Sequence, residues 1–167
     1  MLKDHILLSR MATTARKRES LIIKFLALYL LFKEQPEKVI EIIEDSDYFL
    51  YEEEERKQRV VSIEGGDIMM IHPTHLLVGC SARTSANAIN EIIHTIFSND
   101  TIGIEKISVV KIPKTRAQMH IDTIFTQVKR GVWVLYGRYS DKILKEEESL
   151  KQSYLKKLSH TPRKTEL

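Results

Sequence analysis

The sequence predicts an α/β protein built from small repeated units, and three stretches carry that prediction. Two short apolar runs, Ile68 to Ile71 and Leu76 to Gly79, flank His72-Pro73-Thr74-His75, as two strands flank a turn. Ile89, Ile92, Ile93, Ile96 and Phe97 then recur at three- and four-residue spacing, which marks one face of a helix, with Thr84 or Ser85 as its cap. Ile107 to Ile112 is apolar and β-branched, fitting a buried strand closed by Pro113. The order strand, strand, helix, strand packs a helix on one face of a small mixed sheet. A second unit begins at His120: Thr123 to Val128 and Val132 to Tyr136 read as strands joined around Gly131, and Ser140 to Leu158 as a helix. The repetition is architectural, without a residue-level repeat.

The segment before these units is less regular. His5 to Ser9 fits a short strand. Arg10, Arg16, Lys17 and Arg18 bunch ahead of an apolar stretch, Leu21 to Lys33, that is hydrophobic on nearly every side, as an enclosed helix would be. Cations at a helix N-terminus oppose its dipole, so the basic cluster is either a solvated helix start or a site for an anionic partner. Pro36 ends the helix, and Glu37 to Glu44 alternates imperfectly. Asp45 to Arg59, with Glu52 to Glu55 and no apolar period, reads as an exposed loop or frayed hairpin, and Val60 to Ile63 as a strand leading into an acidic turn. Residues 1–158 form one domain; residues 159–167, polar and containing Pro162, form a loose tail.

Composition narrows the classes. The 167 residues are 43% hydrophobic and 29% charged, as in a soluble chain with one domain's core. The net charge is +3, with acids and bases interspersed, so no basic stripe suggests nucleic-acid binding. The longest apolar stretch is interrupted by Lys24 and falls short of the about 20 residues that span a bilayer. The sole cysteine, Cys80, excludes an internal disulfide and a CxxC zinc site, and reads as a buried thiol at a strand end. A reducing, cytoplasmic setting is expected, with no signal-peptide pattern at the N-terminus.

The polar groups that carry chemistry cluster at turns and strand ends. Glu64 and Asp67 flank Gly65-Gly66, where the backbone is free of Cβ constraints. His120 and Asp122 are two apart and share a face if the backbone is extended. That pair supports three readings: a structural hydrogen bond, a metal site helped by His72 or His75, or an acid/base histidine beside a cation-binding carboxylate.

Four motifs in order are similar to one family. EGGD ending at Asp67; Gly79, Ser81, Arg83 and Thr84 in a GxSxRT pattern; PKxRAxMHIDTxFT from Pro113 to Thr126; and the Arg-rich MATTARKRES from Met11 to Ser20 resemble the arginine deiminases of the guanidino-group-modifying, or pentein, superfamily. The resemblance implies an α/β-propeller of such modules about a pseudo-fivefold axis, with a central polar site. It implies hydrolysis of L-arginine, or of a related guanidino compound, to citrulline and ammonia, with no metal or organic cofactor. On this reading His120 is the acid/base and Asp122 the carboxylate that grips the guanidinium. Glu64 shapes the catalytic site, Arg16 and Arg83 receive the α-carboxylate, and Asp67 supports the substrate side from the same motif. Agmatine deiminases, dimethylarginine hydrolases, amidinotransferases and a noncatalytic arginine-binding module are the alternatives.

Three departures accompany the resemblance. The family's nucleophilic cysteine, in a C-terminal Gly-rich loop, and its second guanidinium-binding aspartate, upstream of His5, have no counterpart here. Ala82 stands where an acidic or polar residue is expected before Arg-Thr. The resemblance thus implies part of a catalytic domain. Open sheet edges in such a piece predict pairing with another copy or with the remainder of the domain.

Overall fold

The computed structural model describes residues 2–42 and 50–139. They divide into two compact units, Met1–Ile124 and Phe125–Leu167.

The first unit begins with the two-residue strand Ile6–Leu7 (β1), which pairs in parallel with Val39–Ile40 (β2). Helix Lys17–Leu26 (α1) connects them and widens into a π-helical turn at Ala27–Leu31, and Pro36 opens a 3-10 turn at Pro36–Lys38. The apolar segment predicted to be enclosed is largely open: Leu21, Ile22, Phe25, Tyr29, Leu30 and Leu31 are exposed, and Ala27 alone within it is buried. The reason is geometric, since a pair of two-residue strands offers too little surface to cover a helix.

The acidic run forms a short helix, Glu53–Gln58 (α2), in place of the expected loop. Three glutamates in its first turn, Glu53, Glu54 and Glu55, face the positive end of the helix dipole. Residues 43–49, which include the start of the predicted loop or hairpin, lie outside the described residues. Val60 to Ile63 joins no sheet; Ile63 makes an isolated bridge to Arg10, with both backbone bonds at 2.8 Å.

The expected strand–strand–helix–strand unit is present as Ile68–His72 (β3), His75–Cys80 (β4), Ala86–Phe97 (α3) and Lys106–Lys111 (β5). β3 and β4 are antiparallel, with Ile68 opposite Val78, and β4 and β5 are parallel from His75–Lys106 to Cys80–Lys111. Ser85 caps α3 by accepting a hydrogen bond from the Ala88 N–H at 3.2 Å. Ile89, Ile92 and Ile96 enter the core against Leu76 and Val78 of β4. Phe97, at the end of the predicted face, is exposed, and β5 is less buried than its β-branched composition suggests. The sheet order β3-β4-β5 makes β5 an edge, leaving Val109 and Val110 partly exposed.

In the second unit, Phe125–Lys129 (β6) and Val132–Leu135 (β7) form an antiparallel hairpin turned at Gly131, whose φ is +75°. Phe125 and Trp133 stack across it, with centroids 4.6 Å apart. The helix expected over residues 140–158 and the tail over 159–167 fall outside the described residues. Among those described, the strands form three separate small sheets, none closed into a barrel, and no helix is long and apolar enough to cross a membrane.

Candidate active site

The site is built around one buried carboxylate. Glu64 sits at the end of the extended segment, immediately before the 3-10 turn Gly65–Asp67, and is 2% exposed. Its own N–H donates to Thr84 Oγ1 at 3.2 Å, fixing the turn to the start of α3. Four groups converge on its carboxylate. The Ala12 N–H reaches Oε1 at 3.2 Å, and Arg16 Nη1 donates to Oε2 at 2.8 Å. His120 Nε2 lies 3.1 Å from Oε2, and Arg83 Nη1 lies 3.7 Å from Oε1. With an ionised carboxylate as acceptor, the His120 proton belongs on Nε2. An isolated buried carboxylate is strongly unfavourable, and this ring of donors offsets the cost of burying Glu64.

The two arginines approach from the N-terminal ends of two helices. Arg16 is the N-cap residue of α1, and Arg83 lies two residues before the Ser85 cap of α3. Arg16 is held twice: Nε and Nη2 donate to Glu19 Oε1 and Oε2 at 2.9 and 2.8 Å, while Nη1 holds Glu64. The Glu19 hydrogen bonds, followed by the charge of Glu64, raise the Arg16 pKa, and the Arg16 hydrogen bonds keep Glu19 below the usual carboxylate range. Glu19 was not among the site residues expected from sequence, although its position three residues after Arg16 is a spacing at which helical side chains meet.

Asp67 lies beneath this surface. It is fully buried; Oδ2 accepts from Ser81 Oγ at 2.6 Å and Oδ1 from the Ile121 N–H at 2.9 Å. The Ser81 hydroxyl in turn accepts the Arg83 and Thr84 N–H groups at 2.9 and 3.0 Å. Asp67 therefore ties the turn carrying Arg83 to the segment carrying His120. Gly79 makes room for it, since a Cβ there would stand 2.5 Å from Asp67 Oδ1.

His120 and Asp122 meet over Gly66. A Cβ at Gly66 would fall 2.8 Å from both His120 Cγ and Asp122 Oδ2, so only glycine lets these side chains lie against the turn. They do not share the extended strand that their spacing suggested. His120 is extended, with φ −137° and ψ 162°, but Asp122 belongs to the 3-10 turn Ile121–Thr123 and is exposed.

The expected histidine helpers are elsewhere. His72 Nδ1 contacts Thr74 Oγ1 and His75 Nε2 contacts Ser108 Oγ, at the end of β4 opposite Ser81. At about 3.3 Å per residue that end is roughly 20 Å from Ser81. The metal reading that recruits His72 or His75 thus fails on geometry, and among the described residues no group of three or more His, Cys, Asp or Glu converges as a metal site. Cys80 stands at a strand end, as expected, but is only half-buried and borders a cleft with Ser62, Ser85 and Lys111; Glu64 and His120 do not line it. Arg83 borders a different open cleft, of about 610 Å³, together with Ala12, Thr13, Lys114, Arg116 and Met119.

Comparison with known proteins gives the family and the fold. The family profile described as arginine deiminase matches residues 1–166. The arginine deiminase of Treponema denticola is 52% identical over 67 residues, 40% of this chain and 16% of its own length. That of Bacillus cereus is 35% identical over 125 residues, 75% of this chain and 27% of its own length. That of Staphylococcus haemolyticus is 29% identical over 143 residues, 86% of this chain and 31% of its own length. The chain thus spans less than a third of these relatives. In fold it is similar to the dimethylarginine dimethylaminohydrolase of Pseudomonas aeruginosa complexed with citrulline, at TM-score 0.55 and 23% identity over 79% of this chain and 41% of that one. A dimethylarginine dimethylaminohydrolase adduct with S-methyl-L-thiocitrulline gives a TM-score of 0.54 at 22% identity, over 79% of this chain and 41% of that one. By its profile match across nearly the whole sequence, this chain belongs to the arginine deiminase family.

Proposed function

We propose that this chain contributes the central part of a guanidino-hydrolase site that converts L-arginine to citrulline and ammonia. The observation that carries the reading is the buried Glu64 carboxylate, which already holds a guanidinium, that of Arg16, with His120 on the same oxygen. A guanidinium is planar, permanently charged and rich in donors, so carboxylates that accept paired hydrogen bonds suit it. In this reading Glu64 and the exposed Asp122 bind the substrate guanidinium after Arg16 moves aside, and His120 works as acid and base beside them. Arg83, at the seam between Glu64 and the open cleft, meets the substrate's carboxylate. Arg16 joins it once released from Glu64. Asp67 supports the substrate side by setting the Ser81-to-Arg83 turn.

A thiolate attacks the guanidinium carbon, the C–N bond to the leaving ammonia breaks, and His120 activates the water that hydrolyses the covalent intermediate. The thiol comes from outside this chain, since Cys80 opens onto another cleft. The helix-on-sheet units fit the modules of a fivefold α/β-propeller whose remaining parts complete the site. Agmatine, which lacks a carboxylate, makes no use of the arginines and is the weaker candidate.

The test is citrulline and ammonia release from L-arginine, measured for this chain and for the open reading frame that contains it. Turnover by the longer protein is expected. Bound arginine without turnover in either would favour an arginine-binding module.

A further inference from the structure

Arg16 and Arg83 are held in unlike ways. Arg83 is held loosely: Nη2 lies 3.6 Å from the sulfur of Met119, and Nη1 lies 3.7 Å from Glu64 Oε1. Arg16 is gripped along one edge of its guanidinium, where Nε and Nη2 donate to the two oxygens of Glu19 at 2.9 and 2.8 Å, while Nη1 donates to Glu64 Oε2 at 2.8 Å. Paired bonds of this kind fix the plane of a guanidinium as well as its position.

The two carboxylates that share Arg16 differ in what else they do. Glu64 also meets His120 and, in the reading above, the substrate guanidinium, so its bond to Arg16 is the one given up on binding. Glu19 keeps its hold. It occupies the Nε–H and one N–H of Nη2, which leaves both N–H groups of Nη1 and the second of Nη2 as the end-on pair that a carboxylate accepts. Glu19 stands in the first turn of α1, three residues after Arg16, where the helix dipole favours an acid. The Arg16 hydrogen bonds hold its carboxyl below the usual range, so it is charged at neutral pH. With 42% and 49% of the two side chains exposed, the pair contributes little to stability, and its consequence is orientation.

Resting on the guanidino-hydrolase reading above, we infer that Glu19 is a positioning residue: it retains Arg16, with the end-on donors free for the substrate's carboxylate, when the substrate guanidinium displaces Arg16 from Glu64. Affinity for arginine then depends on a carboxylate that does not touch it.

The test is steady-state citrulline formation from L-arginine by the open reading frame that contains this chain. It is compared with the Glu19→Gln, Glu19→Ala, Arg16→Gln and doubly substituted Arg16→Gln/Glu19→Gln variants, each checked for folding by circular dichroism. Glu19→Gln and Glu19→Ala are each expected to raise KM about tenfold, as loss of one charge-assisted hydrogen bond implies, with the smaller part of the effect in kcat. With Arg16 already replaced, Glu19→Gln should change kcat/KM by less than about twofold, since Glu19 acts through Arg16. A purely structural role would lower the unfolding midpoint and leave KM as it was. Unchanged KM in both single Glu19 variants, or a Glu19 effect of the same size with Arg16 replaced, overturns the inference while leaving the guanidino-hydrolase reading intact. No citrulline from the unaltered reading frame overturns both.

Discussion

Helices α1 and α3 occupy equivalent places in the chain, each joining two parallel strands, yet they meet opposite surroundings. Ile89, Ile92 and Ile96 of α3 are 4%, 1% and 2% exposed, whereas Leu21, Ile22 and Phe25 of α1 are 67%, 60% and 57% exposed. The difference lies in the sheets. α3 packs on three strands, two of them paired over six residues, while α1 crosses strands that pair over two. Apolar sequence alone does not bury a helix; the extent of the facing sheet decides. The two helices nevertheless share one feature: each brings an arginine near its N-terminal end to Glu64. The site is held at the point where the well-packed and the open halves of the first unit meet.

Single substitutions at several places test this contrast. The largest effect is expected at the meeting point itself. Glu64→Ala removes the acceptor shared by Ala12, Arg16 and His120, and the combined loss of these hydrogen bonds should lower stability by about 3–5 kcal/mol, read from urea unfolding. A loss below about 1 kcal/mol would show that the ring of donors is incidental to the fold. Next comes the contrast between the helices. Ile92→Ala should cost about 2–5 kcal/mol, while Ile22→Ala stays within about 0.5 kcal/mol. Similar losses would mean that α1 is covered in solution.

A smaller effect is expected at the start of α3, where Ser85→Ala removes the cap bond to Ala88 and should cost about 1 kcal/mol by the same method. The smallest concerns the far end of the same sheet. Burial, followed by the charges of Lys106 and His72, lowers the pKa of His75 below the usual imidazole value. The unfolded chain therefore binds its proton first as pH falls. The His75 contribution is complete above a pH of about 6.5 and is lost as pH drops through the lower folded value. Unfolding followed against pH should show stability rising with pH in that window, and His75→Gln should flatten the rise.

Where a local pattern determined the structure, the sequence was readable. The isoleucine spacing of α3, its serine cap and the β3–β4 hairpin follow from periodicity, capping and turn chemistry, and all three appear as expected. Where tertiary surroundings decide, it was not. β-branched residues suit edge and central strands alike, so the exposure of β5 was hidden. The extended geometry assumed for His120 and Asp122 gave way to a turn packed on Gly66, a contact between segments over fifty residues apart. The residues that surround Glu64 were largely marked by the family motifs, but their convergence on that one carboxylate was not. Ala12 contributes only a backbone N–H, which no residue-type pattern reveals, and Glu19 becomes part of the site only through Arg16.

We place the Glu64–His120 pair in a guanidino-hydrolase centre, and citrulline release from L-arginine is the sharpest test of that assignment. The measurement compares the open reading frame containing this chain with its His120→Ala variant, both checked for folding. Turnover is expected in the first and none above background in the second. Undiminished citrulline formation by His120→Ala would contradict it.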